Sequence, residues 1–414
     1  MLYRTLIENH VQINNIFFPT SIMIKLTNRC NLMCAFCSQG EAKNVDIDMN
    51  TVKKVLEEAK HYGVCEIIYS GGEPLLYSGF REVIAYGKQL GLHQALVTNG
   101  VYLDRYLEDV VDKIDQIGIS LHGDETIHDV VVGCRGAYRK VVENIEKINQ
   151  TGKAPAIILN FTITENNVAA IEDVVAFAKS HGCRLSVARL NQIGKSEYNT
   201  QIKKTISTFF NQVTEDSEIR VSNVIPICQM PTRKKHLCHS CSAGLASVCI
   251  EADSTVKICA SATQSLGSMK ENSLYEIWNN EEFVKFRSLD WMPDLCKKCR
   301  DYAKCLGGCK AEKFENPYSQ SKDCLMTMAI EDFYHDLKTK KMTLRFTDIR
   351  KINDDYLLLG KPNRIIDEDG MLLLKALLQT KNFEDYFGNM EELHRKQALE
   401  LLYGMYKDGL LSLI

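Results

Sequence analysis

The sequence predicts an α/β fold, a partial (β/α)6 TIM-like barrel followed by two smaller parts, on three observations. Six short apolar runs alternate with amphipathic helical stretches from about residue 20 to residue 212. Several of those stretches end in glycine, as a helix C-cap does. Beyond them the cysteines crowd together, and from about residue 341 there are none. Strands alternating with helices make a parallel sheet, closed as a barrel or left open.

The runs, in order, are "SIMIKL" (21–26), "CEIIYS" (65–70), "HQALVT" (93–98), "QIGISL" (116–121), "AIILNFTI" (156–163) and "RLSVARL" (184–190). Helices are expected at "MNTVKKVLEEAKHYG", "FREVIAYGKQLG", "YRKVVENIEKINQTG" and "VAAIEDVVAFAKSHG". In such folds the working residues lie in loops after the C-terminal ends of the strands. That rule places Cys30–Cys37, "SGGEP" (70–74), "TNG" (98–100) and "SLHG" (120–123) on one rim. More than half of the sixteen cysteines fall from Cys238 to Cys324, among short strands and turns that read as a cluster-holding domain. Strands are expected in "MTLRFTDI" and "DYLLLGKPNRIID". Helices are expected in "GMLLLKALLQT" and "EELHRKQALELLYGMYKDG", where Leu399, Leu402 and Tyr406 recur at helical spacing. The expected parts are an N-terminal segment (1–19), the barrel (20–214), the cysteine-rich domain (215–340) and a β plus helix module (341–414), winged-helix-like in outline.

Fifty basic and fifty-three acidic residues give a formal net charge of -3, so nothing in the total favours nucleic acid as a partner. Glu8, Asn9, His10, Asn14 and Asn15 interrupt the N-terminus, which has neither the apolar core of a signal peptide nor the length of a membrane span. A cytoplasmic protein with no membrane partner is expected. Cytosolic thiols stay reduced, so sixteen cysteines point to metal binding before disulfides.

"CNLMCAFC" puts Cys30, Cys34 and Cys37 within eight residues. The spacing would also suit a buried stripe on a helix. The surrounding Asn28, Arg29 and Asn31 make a poor apolar face, however, and three thiolates leave one position of a four-metal cluster open for chemistry. With Phe36 before the last cysteine and "GGEP" after the second strand, the chain resembles the radical S-adenosylmethionine (SAM) superfamily. That resemblance implies that Cys30, Cys34 and Cys37 hold three irons of a 4Fe-4S cluster and that SAM chelates the fourth. Reductive cleavage of SAM then gives a 5'-deoxyadenosyl radical that takes a hydrogen from the substrate. Gly71, Gly72 and Glu73 would lie against the methionyl group of SAM. Ser120 and Asn160 or Thr162 are polar strand residues suited to ribose or carboxylate, with backbone hydrogen bonding as their alternative role. The family's usual Asp after Ser-Leu is His122 here, and Val132 stands where Arg is common, with Arg135 three residues on.

Cys296-x2-Cys299-x5-Cys305-x3-Cys309, followed by Cys324, resembles the SPASM auxiliary domain. "CSAG" (241–244) and Cys259 resemble its opening, although Ser254 replaces the usual glycine. The resemblance implies two auxiliary iron-sulfur clusters, 4Fe-4S in type. Cys241, Cys259 and Cys309 would hold the first, with Cys238 as candidate fourth ligand, and Cys296, Cys299, Cys305 and Cys324 the second. The alternative is a zinc ribbon. Cys65, Cys134, Cys183 and Cys228 are left unassigned, any of them a possible hydrogen-atom donor, while Cys249 alternates within an expected strand and belongs to the core.

The resemblance spans roughly residues 20 to 325 and implies an enzyme. Sulfatase activation is disfavoured, because Ala260 stands where that branch has an Asp general base. What remains is a maturase of ribosomally made, post-translationally modified peptides (RiPPs), crosslinking side chains of a precursor peptide through a C–C or thioether bond. Its alternatives are a peptide epimerase, an enzyme of modified haem or small-molecule synthesis and, from another class, a non-catalytic metal-binding adaptor. The implied partners are a precursor peptide with its leader and an electron donor such as flavodoxin or ferredoxin. The C-terminal module is similar in outline to a leader-recognition element, which binds by strand addition; a helical cap is the alternative.

Overall fold

A computed structural model describes residues 17–37, 44–190, 205–206, 208–210, 212, 219–222, 225–227, 230, 232–239, 241–292, 294–297, 302–315, 333–338, 342–345, 348–352, 355–359, 364–366, 368–379, 387, 390–407 and 410–413. Expectations for residues 1–16 and for Cys228, Cys299 and Cys324 lie outside these, as does the side chain of Cys238. The chain divides into two compact units, residues 1–320 and 321–414.

All six expected strands form: β1 (Ser21–Thr27), β2 (Glu66–Gly71), β3 (Gln94–Thr98), β4 (Gln116–Ser120), β5 (Ala156–Ile163) and β6 (Arg184–Arg189). They pair in parallel and in chain order, and β7 (Ile219–Ser222) and β8 (Cys238–His239) extend the row. Between them run α1 (Met49–Tyr62), α2 (Phe80–Gln89), α3 (Leu107–Lys113), α4 (Glu125–Val132), α5 (Ala137–Gln150) and α6 (Ile171–Ser180). Local chemistry sets the helix ends. Asp48 accepts from the Thr51 amide to start α1, and Gly63, at φ 72°, ends it in the left-handed conformation that glycine adopts without strain. Between these ends Val52, Val55, Leu56 and Ala59 form one buried stripe.

On the sheet's other edge β9 (Ser247–Ile250) pairs in parallel with β1, and β10 (Thr255–Lys257) and β11 (Gly267–Ser268) follow antiparallel. The eleven strands run from β11 to β8 without closing, a partial barrel. Partners in adjacent parallel strands point the same way. One row, including Ile24, Tyr69, Leu96, Ile117 and Ile119, Leu159 and Leu185, is buried. The opposite face carries Ser70, Ser120, Asn160, Thr162 and Ser186, all half-buried. A sheet apolar on one side and polar and partly open on the other has an accessible interior face.

Further helices of this unit include α7 (Leu274–Trp278), α8 (Glu281–Ser288), α9 (Asp294–Lys297), α10 (Tyr302–Cys305) and α11 (Lys310–Glu315). The second unit pairs β12 (Met342–Leu344) with β16 (Leu411–Leu413) and forms an antiparallel meander of β13 (Asp348–Ile352), β14 (Asp355–Leu359) and β15 (Arg364–Ile366). Its helices include α12 (Glu368–Gln379) and α13 (Glu392–Lys407). On α13 Leu399 and Leu402 are buried as their spacing predicts. Tyr406 is 40% exposed, its ring 5.1 Å from that of Phe333. Among the described residues no helix is long and apolar enough to cross a membrane.

Candidate active site and cysteine clusters

The loop that leaves β1 is fastened before it reaches its first cysteine. Arg29 makes a two-point ion pair with Asp46 (3.0 and 2.6 Å) and donates to the Leu76 carbonyl (2.9 Å). The amides of Gly72 and Glu73 donate to the carbonyls of Thr27 and Arg29. A Cβ at Gly71, where φ is 147°, would stand 2.3 Å from the Thr27 oxygen, and one at Gly72 would stand 2.4 Å from that of Arg29. The glycine pair is therefore required by the cysteine loop itself, whose backbone lies directly on it.

Farther along, the amides of Met33 and Ala35 donate to the carbonyls of Val132 and Val131, which the C-terminal end of α4 leaves without helical partners. The helix stops there at Gly133, where a Cβ would meet the Met33 oxygen at 2.9 Å. Leu32 packs with Val132 and Ala137, and Cys34 and Cys134 lie against them. The stretch "VVVGCRGAY" thus seats the cysteine loop.

Cys30 and Cys37 are exposed and Cys34 is half-buried. Burial raises Cys30, and pushes Cys34 up to about 12, with the neighbouring thiols adding to both shifts. Thiols this hard to ionise side by side make poor free nucleophiles, but cationic iron reverses that balance by stabilising all three thiolates. The Leu32 amide (3.5 Å) and Asn99 Nδ2 (3.9 Å) both approach Cys30 Sγ, the N–H···S contacts that a ligating thiolate accepts. The donor set fits an iron-sulfur cluster. Among the described residues no three His, Cys, Asp or Glu side chains converge on a single-ion site; a cluster's cysteines sit on separate irons and spread wider.

Glu73 is fully buried, and its carboxylate accepts from Leu75 N (3.1 Å), Thr98 Oγ1 (2.7 Å) and Asn99 N (2.8 Å). Burial lifts it to about 7 against the pull of those donors. It fixes the "TNG" turn, from which Asn99 also reaches Asn31 Oδ1 (2.9 Å). Ser120 and Asn160 are register partners on the interior face, with Thr162 two residues on. The Thr162 amide donates to His122 Nδ1 (3.3 Å), and the His122 amide donates to His128 Nδ1 (3.1 Å). Phe36 meets the His122 ring edge-on at 4.9 Å. Both histidines are buried and held neutral, His122 at about 3 and His128 at about 4, by loss of solvent. An Nδ1 that accepts leaves the proton on Nε2.

The later cysteines occupy a different setting. Cys241 precedes a turn in which the Ser242 carbonyl accepts from Leu245, Ala246 and Ser247. Cys259 follows β10, and Cys309 immediately precedes α11. Cys296 on α9 and Cys305 on α10 are buried; Leu306, Gly307 and Gly308, all at positive φ, carry the chain from Cys305 to Cys309. Cys249 is buried on β9, as its alternation predicts, with Cys259 near enough to raise it further. Of the unassigned thiols, Cys65 is exposed, Cys134 half-buried and Cys183 buried.

Three buried cations surround these cysteines. Lys25 Nζ donates to Glu251 Oε1 (2.9 Å) and to the Ala260 carbonyl (3.0 Å). Arg189 makes two 2.7 Å bonds to Glu312. Lys310 Nζ donates to the Cys241 carbonyl (2.7 Å). These, with His128, are groups that reading the motifs missed; the rim stretches "TNG" and "SLHG" include Asn99 and His122 but give neither a contact. Lys25 left a signal as the one charge in the apolar run "SIMIKL", and Lys310 by directly following Cys309.

Comparison with known proteins finds two domains. A family model for the radical SAM superfamily matches residues 24–178, and one for the SPASM iron-sulfur cluster-binding domain matches residues 238–300. The PqqA peptide cyclase of Gluconobacter oxydans is 28% identical over 315 residues, 71% of this chain and 86% of that protein. Streptococcus suis SuiB bound to S-adenosylmethionine superposes with a TM-score of 0.60 at 18% identity, over 78% of this chain and 81% of that one. AnSMEcpe with bound AdoMet and Cp18Cys peptide gives 0.58 at 18% identity, over 76% and 95%. At such identities the structural likenesses establish the fold. The matched domains imply a 4Fe-4S cluster, SAM and auxiliary iron-sulfur clusters.

Proposed function

We propose that the chain, which matches the radical SAM superfamily model over residues 24–178 and the SPASM domain model over 238–300, is a RiPP maturase that crosslinks side chains of a ribosomally made precursor peptide. The observation that carries this reading is the likeness to the PqqA peptide cyclase, which covers 71% of this chain and 86% of that protein. The crosslink is a C–C or thioether bond. The reaction takes place in the cytoplasm, with an electron supplied by a flavodoxin or ferredoxin.

In this reading Cys30, Cys34 and Cys37 hold the 4Fe-4S cluster. Bound SAM, cleaved by the cluster's electron, supplies the 5'-deoxyadenosyl radical that takes a substrate hydrogen. The chain's own groups bind and orient. Gly71 and Gly72 let the cysteine loop lie close against β2 and, with Glu73, line the methionyl end, while the Glu73 carboxylate holds the "TNG" turn so that Asn99 stays beside Cys30. Phe36 packs toward the adenosine. Ser120, Asn160 and Thr162 give the polar face of the sheet hydrogen-bonding groups for ribose or substrate, and buried, neutral His122 stiffens Phe36 from behind. Two 4Fe-4S auxiliary clusters follow: Cys241, Cys259 and Cys309, with Cys238, hold the first, and Cys296, Cys299, Cys305 and Cys324 the second. The 341–414 module binds the leader along an edge of the β13–β14–β15 meander, where unpaired backbone groups add a strand from an extended peptide.

The test is anaerobic co-expression with a short peptide encoded beside the gene. A product lighter by two hydrogens supports crosslinking. Unchanged mass in ordinary water, with deuterium taken up from heavy water, replaces crosslinking by epimerisation, and no change in any neighbouring peptide overturns the peptide reading.

A further inference from the structure

We infer that the Lys310 ammonium is the charge partner of the auxiliary cluster held by Cys241, Cys259 and Cys309, and that it raises that cluster's reduction potential. The inference rests on the ligand assignment proposed above. Three basic side chains are buried around these cysteines, and they differ in one respect. Lys25 has the Glu251 carboxylate at 2.9 Å, and Arg189 has the Glu312 carboxylate in a two-point contact. Lys310 is 0% exposed, and among the described residues its ammonium meets only the Cys241 carbonyl, with no carboxylate in ion-pair contact.

An ammonium removed from water without a counter-charge is costly, and a neutral carbonyl satisfies one N–H without balancing the charge. A thiolate-ligated iron-sulfur cluster is anionic and would supply that balance. Lys310 also touches two candidate ligands at once, following Cys309 in the chain and bonding to the carbonyl of Cys241. Reduction adds one electron to the cluster from an external donor and no proton, so its negative charge grows by one unit. A fixed cation in a dry surrounding stabilises that reduced form over the oxidised one, which moves the potential upward. Lys25 and Lys257, both in contact with Glu251, place two cations against one anion on the Cys259 side and act in the same direction.

The experiment uses the full chain with Cys30, Cys34 and Cys37 changed to alanine, reconstituted without oxygen so that only the later clusters remain. Iron and sulfide are counted, and the cluster is titrated with dithionite and mediators while its paramagnetic signal is followed. Lys310→Met is expected to shift the midpoint to more negative potential or to lose this cluster's iron, while Lys310→Arg keeps both near the parent. An unchanged midpoint and iron content in Lys310→Met overturns the inference, as does equal loss in Lys310→Met and Lys310→Arg, which would mark a purely geometric role. Iron that is absent from the parent, or not lowered by Cys309→Ala, overturns the ligand assignment itself, a result distinct from any lysine effect.

Discussion

The two groups of cysteines are held in opposite ways. Around Cys30, Cys34 and Cys37 the fastening is mostly by backbone: amides on carbonyls, glycines on passing chain, and the last carbonyls of α4, with the half-exposed Arg29–Asp46 ion pair beside them. Two of the three thiols face solvent. Around Cys241, Cys259 and Cys309 the fastening is by buried charged side chains that reach across more than a hundred residues. A site that must admit and release a cofactor is best built from rigid, neutral backbone that leaves its mouth open. A site whose task is to hold charge away from water needs fixed charges of its own.

Disturbing either kind of fastening tests this contrast. The largest effect is expected from Arg189→Met, which removes the two-point partner of the Glu312 carboxylate beside Cys309. About 3–5 kcal/mol of stability should be lost, read as a lower urea midpoint, and the loss should be small in the double variant with Glu312→Leu. On the other side Gly71→Ala forces a Cβ against the Thr27 carbonyl at a φ that suits only glycine. About 3 kcal/mol should be lost, and SAM binding by the reconstituted protein should weaken while the later iron stays.

A pH dependence should distinguish the neutral region next. His122 and His128 titrate at about 3 and 4 when folded, below their ordinary 6.5. Across that window the unfolded chain binds more protons than the folded one, so stability rises with pH and is lost as pH falls below 6.5. At pH 5 each histidine should cost about 1–2 kcal/mol relative to pH 7.5, and His128→Gln should remove its share of that slope in urea titrations. The smallest effect should be a gain. Ser254 sits at φ 73° in the turn between β9 and β10, a conformation glycine takes more readily, and Ser254→Gly should raise stability by about 1 kcal/mol in the same assay.

What could be read from sequence follows from range. The six strands, the rim position of the first cysteines and the core place of Cys249 depend on alternation and local spacing, and these appear as expected. Ser120, Asn160 and Thr162 were legible as one set because period two puts them on one face. The roles of Glu73 and the glycine pair were only half legible. "GGEP" marks a tight approach, but that the approaching chain is the cysteine loop, and that Glu73 answers to Thr98 and Asn99, depends on where β1 and β3 lie. Lys25 and Glu251, 226 residues apart, have no local pattern at all; only the pairing of β1 with β9 brings them together.

That pairing also orders the protein's synthesis. β1 has β2 on one side within fifty residues of chain, but its other neighbour, β9, leaves the ribosome more than two hundred residues later. Until residue 250 has emerged, the Ser21–Ile24 edge of β1 lacks its β9 partner, and Lys25 stays without Glu251. The nascent chain must therefore guard an open edge through most of its translation, and the strand that leads into Cys30 is sealed only when the later cysteines begin to arrive.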